Sequence, residues 1–511
     1  MSRLRILIAL IVLGLAFPEM GKTTSMRSAA INVLASDSDV DGDALTVSAV
    51  GNATNGVASI NPDSTINFMP AAGSSGSDSF SYTISDDKGG TVGATVAINV
   101  TSHSPSASYV ATKNAHGSPQ NFEHDNCSKG FYHDGKWWAV LPGDLPGANG
   151  RWSIYELSKA VPGAAETGGW SLASGPLGND NMGADIAWDP ENEKLYVLQF
   201  SANSPKPQLY QLSYEHKTQT WTTVLTVDLG ENLDSSYWGN NKHLALGLDQ
   251  YGNPLILGIT SNSHGGPGLQ VAHPASTNLD NWSFATIDAE TVNNGGANGD
   301  SKADFVTFTQ AGLKKIGILY SKDGANSNTW NLAWRNSETK PSNYGSGWSI
   351  EVVANNVQID NHVSATTDGK TIYAVIKDDN DSIWLLKGQP GNWEKPLLVV
   401  NGGKHSPSRP IVVLDDTNQE IYVFYEAGKR KPYNGVFAKI TNIGKPAFNS
   451  NDLGAAILRI GDSSGRMSDP QGPAHAVGVN TDGHFVLFAK NKGTGDIWYK
   501  ILYLGAKMGS T

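Results

Sequence analysis

A hairpin motif recurs seven times along this chain and limits the folds that the chain can adopt. In its clearest copy, residues 360–378 read DNHVSATTDGKTIYAVIKD, which is a polar lead, a short strand, an Asp-Gly turn and an apolar strand. Asp-Gly between two short strands predicts a tight hairpin, because glycine accepts positive φ without steric cost. The other six copies begin at His124, Gly183, Lys242, Ala303, Arg409 and Ala474.

A tryptophan marks a further strand downstream of several hairpins. These residues are Trp170, Trp221, Trp282, Trp348 and Trp393. Seven degenerate units of about 40–60 residues each are typical of a β-propeller with four-stranded blades. We therefore predict an all-β protein in which residues 121–505 form a seven-bladed β-propeller.

The composition excludes one large class of partners. Only 17% of the residues are charged, and the net charge is −11 at pH 7. Nucleic-acid binding needs a basic face, so this balance argues against DNA or RNA as a partner.

The N-terminus predicts export. Two arginines, Arg3 and Arg5, precede the apolar run Ile6–Phe17, which is too short to span a bilayer but suits a secretory signal over residues 1–20. A buried strand is the alternative. We expect a secreted protein, extracellular or on the cell surface, with no membrane span. Cys127 is the only cysteine, so no intrachain disulfide stabilises the fold.

Residues 29–101 read as a separate small β-sandwich. Short strands are predicted at Ile31–Leu34, Ala44–Val50 and Ser79–Ser85, with a hairpin over Ser59–Phe68 and a last strand at Val92–Val100. The words NVLASDSDVDGDALTVSAV and SDSFSYTISDDKGGTVGATVAINV resemble the cadherin-like tandem repeats of bacterial surface proteins. Residues 102–120 are assigned to a linker.

Four aspartates in this segment form a candidate calcium loop. Asp37, Asp39, Asp41 and Asp43 alternate around Gly42, and carboxylate oxygens at this spacing suit Ca²⁺. The twelfth position of the pattern is Ser48 rather than glutamate, which excludes a complete EF-hand. Members of the cadherin-like family often bind calcium at such loops, and a solvated acidic turn is the alternative.

The C-terminal region resembles secreted bacterial propellers that are loosely similar to the sialidase superfamily and to propeller polysaccharide lyases. The words KIGILYSKDGANSNTWNLAWR, DNHVSATTDGKTIYAVIKD and SRPIVVLDDTNQEIYVFYE carry this resemblance. It implies a fold more than an activity, because such families include hydrolases, lyases and sugar-binding members. A sialidase needs three converging arginines, and only Arg409 leads into a predicted inner strand.

Titratable residues concentrate just before the predicted inner strands, where a propeller brings them around one mouth of its channel. The residues at these positions are Asn126, Cys127, Asp185, Lys242, His243, Asp304, Asp360, His362, Arg409 and His475. We expect a ligand site there. The alternative is that these side chains bond neighbouring loops and tie the blades together.

An acidic polysaccharide fits these groups as the substrate. Arg409 and Lys242 could hold a carboxylate or sulfate, and His362 or His475 could act as the base of a β-elimination. His243, Asp185, Asp304 and Asp360 are the other predicted substrate-binding residues. Aromatic rings at Tyr237, Trp238 and Tyr344 could stack on sugars.

Three alternatives to a lyase stay open. A glycoside hydrolase would need paired carboxylates, which Asp185, Asp304 and Asp360 could supply. A metal could bind His362, His475 and Asp304. A non-catalytic glycan-binding or adhesive propeller on a calcium-stiffened stalk would use the same mouth. For a lyase, His362→Ala and Arg409→Ala are expected to remove activity without changing the thermal melt.

Overall fold

A computed structural model describes the backbone of most of the chain, in two compact units: residues 1–107 with 502–511, and residues 108–501. The described residues are 11–18, 29–39, 41–51, 53–54, 56–61, 63–70, 76–103, 109–112, 128–142, 152–157, 169–177, 183–201, 204–229, 244–260, 268–276, 278–288, 303–324, 327–340, 344–355, 362–416, 418–427, 435–459, 467–473, 484–491 and 494–503.

The N-terminal unit is a two-sheet β-sandwich. One sheet has the strand order β1-β7-β6-β3 and the other β2-β5-β4. The strands are β1 (Ile11–Pro18), β2 (Ala29–Ile31), β3 (Thr46–Val50), β4 (Gly56–Ile60), β5 (Ile66–Pro70), β6 (Gly76–Ser85) and β7 (Thr91–His103). Val33–Ser36 is a short 3-10 helix, so the strand predicted over Ile31–Leu34 is wrong in its second half.

Alternating apolar residues build the core between these two sheets. Phe68 from one sheet and Phe80 from the other stack with ring centroids 5.9 Å apart, and Ile66, Ile84 and Val96 are fully buried around them. Burying one such side chain contributes about 1.5–3 kcal/mol. Strand β1, inside the segment that predicts a secretory signal, pairs in parallel with β7.

Seven sheets make up the second unit within the part of the chain that the structure describes. Six of them begin with a hairpin. In chain order the strands are β8 (Tyr109–Thr112); β9 (Gly130–His133), β10 (Lys136–Pro142), β11 (Trp152–Leu157), β12 (Trp170–Leu177); β13 (Gly183–Asp189), β14 (Lys194–Ser201), β15 (Ser204–Glu215), β16 (Thr220–Asp228); β17 (Ala245–Leu248), β18 (Pro254–Thr260), β19 (Gly268–Pro274), β20 (Trp282–Asp288); β21 (Ala303–Gln310), β22 (Leu313–Gly324), β23 (Ser327–Asn336), β24 (Ser349–Ala354); β25 (Val363–Thr367), β26 (Ile372–Lys377), β27 (Ile383–Gln389), β28 (Asn392–Trp393), β29 (Leu397–Val400); β30 (Ser408–Asp415), β31 (Glu420–Ala427), β32 (Gly435–Asn442), β33 (Ala455–Arg459); β34 (Met467–Gln471), β35 (His484–Asn491), β36 (Ile497–Tyr503).

Six of the seven predicted hairpins are confirmed, as β9–β10, β13–β14, β17–β18, β21–β22, β25–β26 and β30–β31. In the seventh sheet β34 ends at Gln471, before the predicted start at Ala474, and residues 474–483 lie outside the described residues. Two of the tryptophan marks are confirmed, since Trp170 and Trp282 open β12 and β20. Trp221 is the second residue of β16, whereas Trp348 precedes β24 and Trp393 ends β28.

A turn that the sequence analysis did not identify closes three of the hairpins. An aspartate at the end of the first strand accepts backbone N–H bonds from the turn and an amide bond from an asparagine. Asn192 donates to Asp189 across 2.7 Å, and Asn253 donates to Asp249 across 2.8 Å. Asn418 donates in the same way to Asp415, 2.6 Å away.

Apolar clusters join consecutive sheets face to face. Leu198 packs in one cluster with Leu246 of the following sheet, and Phe131 stacks 5.0 Å from Trp188. The last sheet has the order β34-β35-β36-β8, so its fourth strand comes from residues within the segment 102–120 that was assigned to a linker. No helix among the described residues is long and apolar enough to cross a membrane.

Candidate functional site

The first strands of the seven sheets, together with the residues next to them, surround one cavity of about 70 Å³. We call β9, β13, β17, β21, β25, β30 and β34 the inner strands. Residues that line the cavity include Ser128, Asp185, Leu246, Asp304, Ser364, Ile411 and Pro473. Gly130 and Pro473 form a parallel bridge, which brings the first and last sheets together.

Asp185 bonds to backbone on both sides of its own strand. One carboxylate oxygen accepts from the Ser128 and Ile186 N–H groups at 2.8 and 2.9 Å, and the other accepts from Leu246 N–H at 2.8 Å. Burial raises the pKa of Asp185 to about 6, while Lys129 and the three backbone donors act to lower it. This carboxylate therefore ties three consecutive inner strands together.

Asp304 repeats the arrangement two sheets further on. Its oxygens accept from Phe305 N–H at 2.9 Å and from Ala365 N–H at 2.8 Å. Burial, together with the negative charge of Asp185, raises the pKa of Asp304 to about 8, while the backbone bonds from Ala365 and Phe305 act to lower it. The two predicted substrate-binding aspartates thus line one cavity, and the charge of Asp185 acts on the protonation of Asp304.

In the inner strand β25, a serine hydroxyl in place of a carboxylate accepts a backbone N–H bond from the neighbouring inner strand. Ser364 Oγ accepts from Val412 N–H of the next strand at 3.3 Å. Together with Asp185 and Asp304, it forms a series of clamps between inner strands. Tying blades together is the alternative that the sequence analysis gave for these positions, and these bonds are contacts of that kind.

The size of the cavity limits what it can hold. A cavity needs about 10–15 Å³ of volume to hold one water molecule, whereas pockets for drug-sized ligands span roughly 300–1,000 Å³. A cavity of about 70 Å³ accepts water or one small group of a ligand. A saccharide would have to bind above it.

Arg409 lies near this cavity, in a bulged part of β30. The pairing of β30 with β31 shifts register between Ser408 and Ile411, and Arg409 takes φ 51°. Its Nη1 donates to Glu426 Oε1 at 2.8 Å, and the Glu426 side chain is fully buried. Truncating Arg409 would remove this charged bond from a buried carboxylate, which is destabilising. In place of a nearly unchanged melt, we therefore now predict that Arg409→Ala lowers the melting temperature.

His362 precedes β25 and is buried, and its carbonyl oxygen accepts from Lys377 N–H at 3.1 Å. Eight other residues predicted at this mouth lie outside the described residues: Asn126, Cys127, Tyr237, Trp238, Lys242, His243, Asp360 and His475. Tyr344 has no exposed surface and donates to Asp249, so its predicted stacking on sugars is wrong.

Lys129 is a neighbour of Asp185 that the sequence analysis missed. Its Nζ is buried, donates to Ala184 O at 2.6 Å and lies 5.5 Å from the centre of the Trp152 ring. The signal was available in the sequence, because Lys129 directly precedes the first inner strand, where the other candidates were collected.

The four aspartates of the candidate calcium loop make separate contacts. Asp39 Oδ1 accepts from the N–H groups of Asp41 and Asp43, and Asp43 pairs with Lys88 at 2.9 Å. Burial raises the pKa of Asp37, and a hydrogen bond from Tyr82 acts to lower it. Asp37 Oδ1 is buried without a hydrogen-bond partner among the described residues.

Comparison with known proteins identifies a family for the N-terminal part only. Residues 18–99 match a family model described as a bacterial Ig domain. No curated protein matches the chain.

Among solved structures, a protein of unknown function from Dyadobacter fermentans is similar at 13% identity and a TM-score of 0.40, covering 64% of this chain and 96% of its own. A fucose-recognising, six-bladed propeller lectin of Aleuria aurantia matches at 13% identity and a TM-score of 0.36, with coverages of 64% and 98%. An α-L-arabinofuranosidase of Fusarium graminearum matches at 11% and 0.37, with coverages of 67% and 98%. Function is therefore argued from the site itself.

Proposed function

We propose that the seven sheets of the second unit are the blades of a closed seven-bladed β-propeller. Pairing of β36 with β8 supports closure, because it completes the last sheet with the strand that precedes the first. The backbone bond from Lys129 N–H to Gly472 O and the Gly130–Pro473 bridge support it independently. A propeller closed in this way has no free sheet edge at its joint.

We propose further that this propeller binds extracellular glycans at the end where its inner strands begin. The proposal rests on a difference in length between the connections that follow the inner strands and those that precede them. Six of the seven inner strands end in connections of two to five residues, such as 134–135 and 311–312, and the exception is 472–483 after β34. Long connections, spanning residues 113–129, 229–244 and 289–302, lead into inner strands. Long loops held by a rigid scaffold are where binding residues concentrate.

Binding without cleavage is favoured by the way in which the acidic groups are used. A general acid or base needs a lone pair or a proton that can reach the substrate. Asp185 already accepts three backbone N–H bonds and Asp304 accepts two. These carboxylates hold inner strands together, so a glycan would meet them as the floor of a site and not as its catalysts.

Cleavage of an acidic polysaccharide is the second candidate, by β-elimination in preference to hydrolysis. It is supported by Arg409, whose guanidinium is a fork that suits a uronate carboxylate or a sulfate. His362 precedes the neighbouring inner strand β25 and would be the base in that mechanism.

One assay separates the two candidates. The full chain is incubated with immobilised uronate-rich, sulfated and neutral polysaccharides, and bound protein, new reducing ends and ultraviolet absorbance are measured together. Retention without products supports glycan binding. New reducing ends together with a rise in ultraviolet absorbance identify a lyase. New reducing ends without that rise identify a hydrolase. Absence of both retention and products contradicts both candidates.

For the N-terminal unit we propose a calcium-stiffened stalk on a secreted protein. The match to a bacterial Ig domain supports a surface location, and the buried, unpartnered Asp37 Oδ1 is an oxygen that a hard cation could use. If calcium binds there, a chelator lowers the melting temperature of this unit and leaves that of the second unit unchanged. An unchanged melt would exclude the cation.

A further inference from the structure

Two histidines and a glutamate converge at the other end of the inner strands, away from the proposed glycan site. His133 ends β9, Glu193 lies in the turn between β13 and β14, and His216 directly follows β15. They come from two neighbouring sheets, and one ligand atom from each lies within 4.8 Å of the other two. The hairpin pattern alone gave no reason to connect them.

The three ligand atoms lie close enough together for one metal ion to contact all of them. His216 Nε2 lies 2.9 Å from Glu193 Oε2, and His133 Nε2 lies 3.8 Å from Glu193 Oε1. Zinc binds nitrogen and carboxylate oxygen at about 2.0–2.2 Å, so ligand atoms in a tetrahedral site are about 3.3–3.5 Å apart. The two distances lie on either side of that value and involve the two different oxygens of Glu193, so the side chains would have to adjust to bind one ion together.

We propose that His133, Glu193 and His216 form a binding site for a divalent transition metal of the zinc class. Two imidazoles and one carboxylate are a ligand set that zinc accepts. Because His133 belongs to the first of the four-stranded sheets and the other two ligands to the next, the bound metal would link these sheets.

His133 is held in place as a ligand would need to be. Its ring packs 4.9 Å from that of Trp188 and 4.6 Å from that of Tyr214, and its carbonyl oxygen accepts from Trp138 Nε1 at 3.0 Å. Its Nε2 is buried and makes no hydrogen bond within the described residues.

The other two ligands leave one side of the site open. Glu193 takes φ 52° in its turn, and its side chain is 42% exposed, while that of His216 is 58% exposed. Three protein ligands with access to solvent leave a fourth position for water. The rival explanation is a surface ion pair between His216 and Glu193, which would need no metal.

Zinc titration of the untagged full chain tests the proposal, after treatment with a chelator and dialysis. The test variants are Glu193→Gln and His216→Ala. Glu191→Gln is the matched control, because Glu191 is an exposed carboxylate in the same turn. His133 is left intact, since its ring is part of the aromatic packing. Calorimetry gives the stoichiometry and affinity, and Co²⁺ serves as a spectroscopic probe of coordination.

We expect one zinc per chain that Glu191→Gln retains, and a loss of affinity greater than about tenfold in Glu193→Gln and His216→Ala. Zinc at 100 times its dissociation constant should raise the melting temperature of the second unit by about 3 °C in the wild type and the control. Equal zinc affinity in Glu193→Gln and Glu191→Gln would overturn the proposal. So would the absence of any zinc-dependent shift in the wild type.

Discussion

Replacement of Asp304 by asparagine should remove a specific pH dependence from the stability of the second unit. The folded carboxyl has a pKa of about 8, against an ordinary value of 3.8, because burial disfavours its charge. Between these two values the unfolded chain has released the proton and the folded chain still holds it. Stability from this group is therefore complete below pH 4 and is lost as the pH rises towards 8.

The size of the effect follows from that displacement. Each pH unit between the two pKa values lowers the free energy of unfolding by about 1.4 kcal/mol. The rise from pH 5 to pH 7 therefore lowers it by about 2.7 kcal/mol. For a unit of roughly 390 residues, this free energy corresponds to about 3 °C in melting temperature. Asp185 adds a smaller loss in the same direction up to its own pKa of about 6.

Tryptophan fluorescence reports on this unit alone, because all 14 tryptophans lie between Trp137 and Trp498. Asparagine has a single acceptor oxygen, so one of the two backbone donors to residue 304 loses its partner at a cost of about 1–3 kcal/mol. That cost does not depend on pH. The informative quantity is the change in melting temperature between pH 5 and pH 7, with exposed Asp416→Asn as the control.

The wild type and Asp416→Asn should lose about 3 °C more over this interval than Asp304→Asn does. Parallel melting curves for the wild type and Asp304→Asn would show that the carboxyl is ionised at both pH values. In that case the burial argument for its pKa would be refuted.

Two further substitutions test the packing. Arg409→Ala should lower the free energy of unfolding of the second unit by about 3–5 kcal/mol in chemical denaturation, because the buried charge of Glu426 loses its ion pair. The double variant Arg409→Met, Glu426→Gln should recover most of that loss, and equal stability of the single and double variants would contradict this. Gly247→Ala should lower the free energy of unfolding by about 1–3 kcal/mol, because the new Cβ would lie 2.5 Å from the Phe305 ring. Gly345→Ala, which has open space around it, should leave the stability unchanged, and an unchanged stability of Gly247→Ala would refute the close packing.

Local patterns explain how much of the fold was predictable. The Asp-Gly turn at Asp134 and Gly135 has positive φ at both residues, as the sequence alone predicts for a tight hairpin. Strand β8 was assigned to a linker because its partner β36 is almost 400 residues further along the chain. No local pattern carries that pairing, since it depends on how the sheets meet.

The candidate site was predictable in position but not in chemistry. The spacing before each turn correctly placed Asp185 and Asp304 next to one cavity, since equivalent positions of repeated units meet. Their bonds to neighbouring backbone could not be read from spacing, because the donors belong to other sheets. For the same reason the sequence did not predict the contact between His133 and Glu193. These residues lie 60 positions apart and come together only when two sheets pack.

Glycan affinity at the starts of the inner strands tests the central claim most directly. An acidic polysaccharide that retains the wild type, whose carboxylate or sulfate Arg409 would hold, is titrated into the Arg409→Met, Glu426→Gln double variant. It is also titrated into Lys370→Met, which removes an exposed positive charge from the turn at the opposite end. The account predicts that the double variant binds at least about tenfold more weakly, because it loses one charged contact with the polysaccharide. Lys370→Met should bind with unchanged affinity. Unchanged affinity in the double variant, or equal weakening in both, would contradict it.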